Sequence, residues 1–328
     1  MNVLVTGATG FVGSHVVDVL LERGHDVSFI ARATSNFRWL KDKPVRRVDG
    51  SLFDHTSLRT AVEQADVVIH VAGLTAAKNE AEFMKGNRDA TRNMVDAIRA
   101  YRPNLTRYVH ISSLAVVGPS PDEEHPATEA TPLHPITAYG RTKKAAEEVV
   151  HEASKDIPTT IVRPPAVYGP RDEAILTFFQ TVKKGFAPLI GFDEKKVSLV
   201  HVRDLARGIV DAAMSPNAIG QTYFVSSDEL YTWQYVAEQT AAAFGRQRVT
   251  TLRLPHTIVK GIAGLSGFFG RFSSKPPVLD YEKGIDITQR YWICSTEKAR
   301  RDFGYRQEMS LRDGVIDTVT WYRKHGWL

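Results

Sequence analysis

Along the first half of the chain, short continuous apolar runs alternate with longer stretches whose apolar residues recur at helical spacing. Residues 2–5, 27–30, 45–48, 66–71, 107–111 and 159–162 read as strands, and 11–21, 54–64, 80–101 and 138–154 as helices. Strands that are apolar on both faces and separated by helices predict a parallel sheet covered on each side. The expected fold class is therefore α/β, a doubly wound parallel sheet. Beyond Pro164 the pattern loosens. Helices are expected near 173–184, 204–214, 233–244 and 311–324, strands near 197–202 and 222–226, and Pro and Gly concentrate between 255 and 284. This divides the chain into a large domain over 1–170 and a smaller α/β domain over 171–328 that closes over it, with about 199–228 returning to the first.

Composition narrows the class of protein. The 328 residues are 43% hydrophobic and 24% charged, which is ordinary for a globular protein with a substantial core. The net charge of +5 is scattered among acidic and apolar neighbours, without the dense basic stripe that a nucleic-acid surface needs. Cys294 is the one cysteine, so neither an internal disulfide nor a cysteine metal cluster can form, and a reducing, cytoplasmic setting is expected. The longest greasy stretch, 258–272, is broken by Lys260 and by Gly261, Gly264, Gly267 and Gly270, so no membrane span is expected.

The first candidate for chemistry is "VTGATGFVGSHVV" at 5–17, where a glycine-rich turn joins a strand to a helix. Unpaired backbone N–H groups and the positive end of the helix dipole favour an anion there, provided that no Cβ blocks its approach. Gly7 would permit the sharp turn, Gly10 the approach of a pyrophosphate, and Gly13 close packing of helix on strand. Three further stretches, "HVAGLT" at 70–75, "HISSLAVVG" at 110–118 and "YGRTK" at 139–143, lie at strand ends or open a helix, and so converge on one cleft. Tyr139 and Lys143 are four apart and share a helix face. A phenol titrates near about 10, and an adjacent ammonium lowers that value, so the pair can exchange a proton with a carbonyl or alcohol oxygen.

Together, "TGATGFVG", "HVAG", "ISSLAVVG", "YGRTK", "RPPAVYGP" and "VHVRDLA" resemble the extended short-chain dehydrogenase/reductases, the NAD-dependent epimerase/dehydratase family, over nearly the whole chain. The resemblance implies a Rossmann dinucleotide-binding domain with a smaller substrate-binding domain. It implies that Tyr139 is the catalytic tyrosine, that Lys143 lowers its pKa and holds the nicotinamide ribose, and that Ser113 bonds the reacting oxygen. Gly7, Thr9, Gly10, Phe11, Val12 and Gly13 would hold the pyrophosphate side of the cofactor. Ser51 and Leu52 would line the adenine pocket, Ala72 and Gly73 pass beside ribose and phosphates, and Pro164 to Val167 lie against the nicotinamide. Asn87 would stand near the active site, and relatives suggest a homodimer through the helices at 80–101 and 138–154.

Two positions bear on cofactor and substrate. NAD-using relatives carry an acid at the end of the second strand, whereas this chain has Ala31 and then Arg32, which predicts a preference for NADP, with NAD as the alternative. Sugar-nucleotide enzymes of the family carry an asparagine where "RPPAVYGP" has Ala166, so the motif looks more like 3β-hydroxysteroid dehydrogenase-like and dihydroflavonol reductase-like members. The expected activity is hydride transfer between the nicotinamide and a carbonyl or secondary alcohol of a small molecule. The alternative is a nucleotide-sugar epimerase or dehydratase with retained NAD. Phe178, Phe179, Phe186, Phe192 and the run 258–272 are candidates to wall an apolar pocket. Arg171 and Arg203 are candidate anion ligands, with ion pairs to Asp172 or Asp204 as the alternative. Asp204 is expected to cap its helix, and His70, His110 and His201 to pack rather than bind metal.

Overall fold

Seven parallel strands form the main sheet in the order β10-β6-β5-β4-β1-β2-β3. They are β1 (Asn2–Thr6), β2 (Asp26–Ala31), β3 (Val45–Asp49), β4 (Val67–His70), β5 (Arg107–Ile111), β6 (Thr159–Arg163) and β10 (Gln221–Phe224). The computed structural model describes residues 1–259, 261, 262, 264 and 281–328. One face of the sheet is covered by α1 (Phe11–Glu22) and α7 (Val202–Met214), whose Val16, Leu20, Leu205 and Ile209 share a core with Val3, Val5 and Val109. The other face packs on α2 (His55–Val62), α4 (Ala90–Tyr101) and α5 (Ala138–Ala153), through Leu58, Met94, Ile98 and Val150. The order reverses at β1, whose neighbours are β2 and β4, so the crevice at the carboxyl ends of β1, β4 and β5 is where this topology places a ligand.

The predicted helix over 80–101 is three pieces: α3 (Glu80–Met84), a π turn (Lys85–Asp89) and α4. The helix expected from 173 begins at Leu176, as α6 (Leu176–Lys183). Of the stretch 199–228, α7 and β10 pack on or join the main sheet, whereas β9 (Lys196–His201) pairs with β7 (Ala166–Tyr168), β11 (Leu230–Thr232) and β13 (Tyr291–Trp292). A separate two-stranded parallel ribbon, β8 (Phe186–Ile190) with β12 (Thr250–Leu254), lies beyond α6 and α8 (Trp233–Ala243). The chain ends in α9 (Tyr281–Thr288), α10 (Glu297–Phe303) and α11 (Leu311–Lys324). Most of the apolar run at 258–272 lies outside the described residues. Of the four phenylalanines expected to wall a pocket, Phe178 and Phe179 pack in a core with Tyr168, Trp233 and Tyr322, while Phe186 and Phe192 are exposed.

Candidate active site

The glycine turn can be read atom by atom. Gly7 has φ +70°, and a Cβ there would lie 2.7 Å from the Ala72 nitrogen, so β1 and β4 end in direct backbone contact. A Cβ on Gly13 would sit 2.2 Å from the Gly7 carbonyl oxygen, which only hydrogen permits. At Gly10 the sole neighbour is the same oxygen at 3.2 Å, leaving its outer side open. No side chain caps α1, and its first turn holds no acidic residue. Open space beside an uncapped helix start fits a pyrophosphate, with Thr9, Gly10, Phe11, Val12 and Gly13 as the residues around it.

Farther along the crevice, Ala31 ends β2 in register with Asp49 of β3, and Gly50 N donates to Ala31 O at 3.1 Å. This brings Arg32 beside Ser51 and Leu52. Arg32 is exposed and has no ion-pair partner among the described residues, while Asp49 is paired with Arg47. Ser51 N donates to Ser57 Oγ at 3.2 Å, and the Leu52 carbonyl accepts from Asn93 at 2.9 Å, so both backbones are held by neighbouring helices.

On the other side of Gly7, Ser113 caps a short turn at Leu114–Val116, its Oγ accepting from Ala115 N at 3.1 Å. Leu114 N donates to Pro164 O at 2.9 Å, which sets the Pro164 to Val167 segment against the serine turn. Thr137 caps α5, accepting from Gly140 N at 3.1 Å. Gly140 is a requirement that sequence reasoning passed over: a Cβ there would meet the Ala115 carbonyl oxygen at 2.5 Å, so only glycine lets α5 close on that turn. Tyr139 is half-buried against Phe83, with ring centroids 6.1 Å apart, and lies beside Ser113. Burial pushes the Tyr139 phenol above its usual range, the Ser113 hydroxyl opposes that, and Asp286 of α9 adds to it.

Lys143 is buried, and its Nζ donates to the Ile111 carbonyl at 2.6 Å. Burial lowers its pKa to about 8, with Glu147 pulling the other way. Desolvation dominates at the phenol, and the Lys143 ammonium is held on a backbone carbonyl. Glu147, one turn farther on α5, is fully buried and grips Arg163 of β6 with two bonds, at 2.8 and 2.6 Å. That pair also escaped sequence reasoning, although a Glu four residues after Lys143 on the same helix face was the available signal.

The π turn explains Asn87. An extra residue in the helix turns its side chain inward. The amide accepts from Leu74 N at 2.7 Å and donates to Leu74 O at 3.2 Å and Thr142 Oγ1 at 3.0 Å. A Cβ on Gly73 would lie 3.0 Å from Asn87 Oδ1 and 3.7 Å from Lys143 Nζ, so Gly73, Asn87 and Lys143 are mutual neighbours. Asn87, expected near the active site, thus lies beside Gly73 and Lys143, with its amide bound to the Leu74 backbone and to Thr142 of α5. Below it, His70 is buried between Thr6 Oγ1 at 2.9 Å and Thr91 Oγ1 at 3.3 Å and stacks on His110, with centroids 5.7 Å apart.

Arg171 is corrected likewise. Its guanidinium donates to Ser14 at 3.0 Å and to Asp18 at 2.7 Å, both on α1, rather than pairing with Asp172 or turning to the crevice. His15 bonds the adjacent Pro170 carbonyl at 2.9 Å. The segment after Val167 is thereby tied to the helix that starts at the glycine turn. Arg203 pairs with Asp317, not Asp204, at 3.3 Å. Asp204 does not cap α7, because His201 occupies that place; it accepts from Glu308 N and Met309 N instead. Among the described residues no cluster of three or more His, Cys, Asp or Glu could hold a metal.

The glycine turn at the start of α1 thus opens near the turn capped by Ser113 and the helix that carries Tyr139 and Lys143, at the carboxyl ends of parallel strands. Residues 3–231 match the NAD dependent epimerase/dehydratase family. The chain is 30% identical to ceramide reductase of Caulobacter vibrioides over 99% of its own length and 96% of that protein's. It is equally 30% identical to sterol demethylase protein B of Methylococcus capsulatus, over 99% of both chains. Among solved structures, gox2253 superposes with a TM-score of 0.83 at 27% identity, covering 99% of each chain. The chain belongs to the NAD dependent epimerase/dehydratase family and is an NAD(P)-dependent oxidoreductase.

Proposed function

We propose that the protein reduces a carbonyl group on a hydrophobic substrate, with NADPH preferred over NADH. The observation that supports the reaction is Ser113 beside Tyr139, with Lys143 one turn farther along the same helix and near Gly73. The raised pKa of Tyr139 keeps its phenol protonated at neutral pH, which suits a proton donor to a carbonyl oxygen. Ser113 would hold that oxygen by a hydrogen bond, and Lys143 would bind the nicotinamide ribose. A bound nicotinamide supplies the hydride in this direction. Asn87 and the Glu147–Arg163 pair position Lys143 and the Pro164–Val167 segment without touching substrate.

Support for NADP is the exposed Arg32 at the end of β2, with no carboxylate at Ala31 and Asp49 neutralised by Arg47. Support for a hydrophobic substrate is the pair of relatives named for ceramide and sterol chemistry. Residues up to about 170 would carry cofactor, and the smaller sheets and α8 to α11 the substrate side. The test is Tyr139→Phe, with nucleotide affinities measured beside turnover. Turnover should fall by about 10²- to 10⁴-fold with NADPH affinity nearly unchanged; retained turnover would refute the tyrosine role. Arg32→Ala should cost NADPH affinity roughly 10- to 100-fold and leave NADH binding nearly unchanged. Purified protein that releases stoichiometric NAD on denaturation would instead mark an enzyme that recycles its cofactor in place.

A further inference from the structure

The β8–β12 ribbon is unusual for how little of it is covered. Along β8, Ala187 and Leu189 are buried while Phe186, Pro188 and Ile190 turn the other way, and β12 is exposed over its whole length. The parallel register sets Leu252 beside Pro188 and Leu254 beside Ile190, so their side chains extend the same outer face. Phe192, 72% exposed, and Ile258, 49% exposed, continue the apolar surface past the strand ends. A cluster of large apolar side chains facing water marks an interaction surface rather than ordinary surface scatter.

Cations gather at one end of this face, while at the other Asp193 is paired with Lys195 and Glu194 is exposed. Lys183 and Lys184 precede β8, and Arg246 and Arg248 precede β12; all four are exposed, and none makes an ion pair among the described residues. Arg246 donates to the Lys183 carbonyl at 2.9 Å, which gathers the cations at one end of the ribbon. A second copy of the chain would bring the same positive charge to the contact. An anionic lipid surface brings the opposite one, with an apolar layer directly beneath its headgroups. No helix among the described residues is long and apolar enough to cross a membrane, so the contact is peripheral.

The same face is joined to the crevice. Gly191 N donates to Leu254 O at 2.8 Å, and Lys195, in the loop that follows, donates to the Thr288 carbonyl of α9 at 2.6 Å. At its other end α9 reaches the catalytic helix: Glu282 accepts from Ala138 N and pairs with Arg141 at 2.9 Å. One helix thus spans from the ribbon to the residue before Tyr139.

We propose that the β8–β12 face docks the protein on an anionic phospholipid surface, its apolar side chains entering the headgroup layer and its four cations meeting lipid phosphates. The inference rests in part on the reading of a hydrophobic substrate, which such docking would deliver beside α9.

The test is co-sedimentation with vesicles of phosphatidylcholine alone or mixed with phosphatidylglycerol, at low and high salt, with NADPH oxidation on a water-soluble ketone measured in parallel. Binding should be at least tenfold stronger to the anionic vesicles and weaken with salt. Lys183→Glu with Lys184→Glu should abolish it, and Phe192→Ser with Leu252→Ser should reduce it, both pairs leaving melting temperature and soluble-ketone turnover unchanged. Absence of anionic-vesicle binding, or binding indifferent to both pairs of substitutions, overturns the proposal. So does a wild-type oligomer that Phe192→Ser with Leu252→Ser converts to a smaller species, since the face then serves a second copy. Vesicle binding without turnover of any ketone would uphold the docking and refute the reductase reading, so the two can fail separately.

Discussion

The main sheet and the smaller ribbons solve opposite problems. Around β1, β4 and β5 the chain works through its backbone: Gly7, Gly13 and Gly140 are there because neighbouring carbonyls and amides come closer than any Cβ allows. After Val167 the chain works through large side chains: Phe178, Phe179, Trp233, Trp321, Tyr322 and Trp327 pack edge to face or stacked with centroids 5.0–6.0 Å apart. Aromatic packing of this kind accepts changes of shape by repacking, whereas a backbone contact has no free rotamer with which to yield. A cofactor shared across a family needs the first kind of construction, and a substrate that differs between members suits the second.

The sharpest challenge to that contrast is an ion pair buried within the sheet region itself. Glu147 and Arg163 are almost wholly buried, and Arg163 Nη1 has no further partner among the described residues. Glu147→Gln leaves the guanidinium charged and uncompensated in a desolvated site, and should cost about 3–5 kcal/mol in urea unfolding. A cost below about 1 kcal/mol would mean that the backbone alone holds α5 to β6. The substitution also removes the charge that holds the Lys143 ammonium up, so any activity limb set by Lys143 should move to lower pH.

Two glycines compare the regions directly. An added Cβ at Gly13 would meet backbone at 2.2 Å, and at Gly314 of α11 it would meet the Tyr168 hydroxyl at 2.4 Å. Gly13→Ala should destabilise by about 3 kcal/mol, the top of the overpacking range, and remove measurable nucleotide affinity. Gly314→Ala should cost about 1 kcal/mol, because a side-chain tip can move, and leave nucleotide affinity intact. Thermal melts with and without NADPH separate the two; equal effects would erase the distinction between backbone-built and side-chain-built regions.

The same distinction explains what could be read in the sequence. Strand and helix order, the glycine turn and the Tyr139–Lys143 spacing are local patterns, and the main sheet follows from them. The π turn at Lys85–Asp89 was invisible because one inserted residue barely disturbs the apolar periodicity of 80–101, yet it is what turns Asn87 inward. Arg171 and Arg203 were misjudged for a different reason: their partners Asp18 and Asp317 are far away in sequence, and only the folded chain brings them together. The β8–β12 ribbon joins segments more than fifty residues apart: β8 is a short apolar run interrupted by Pro188 and β12 has only two apolar residues, so the pairing did not declare itself.

The last effect expected is a pH dependence, and it probes the crevice where backbone and side chain meet. In the free enzyme Tyr139 stays protonated well past neutrality, so it sets no limb on reduction near pH 8. Lys143, lowered to about 8, loses its ammonium there, and kcat/KM for NADPH should decline above that pH. Lys143→Arg should flatten the decline, since a guanidinium does not deprotonate in this range. Stability moves the other way. Between about 8 and the ordinary lysine value of 10.5 the unfolded chain holds a proton at this residue that the folded chain has released, so folding gains as pH rises, by about 1.4 kcal/mol per unit. Urea unfolding of the wild type against Lys143→Met at pH 7, 9 and 10 isolates the contribution, with the wild type gaining on the variant at each step. A constant difference would show that the lysine keeps its proton in the fold, and that the carbonyl of Ile111 and the charge of Glu147 outweigh burial.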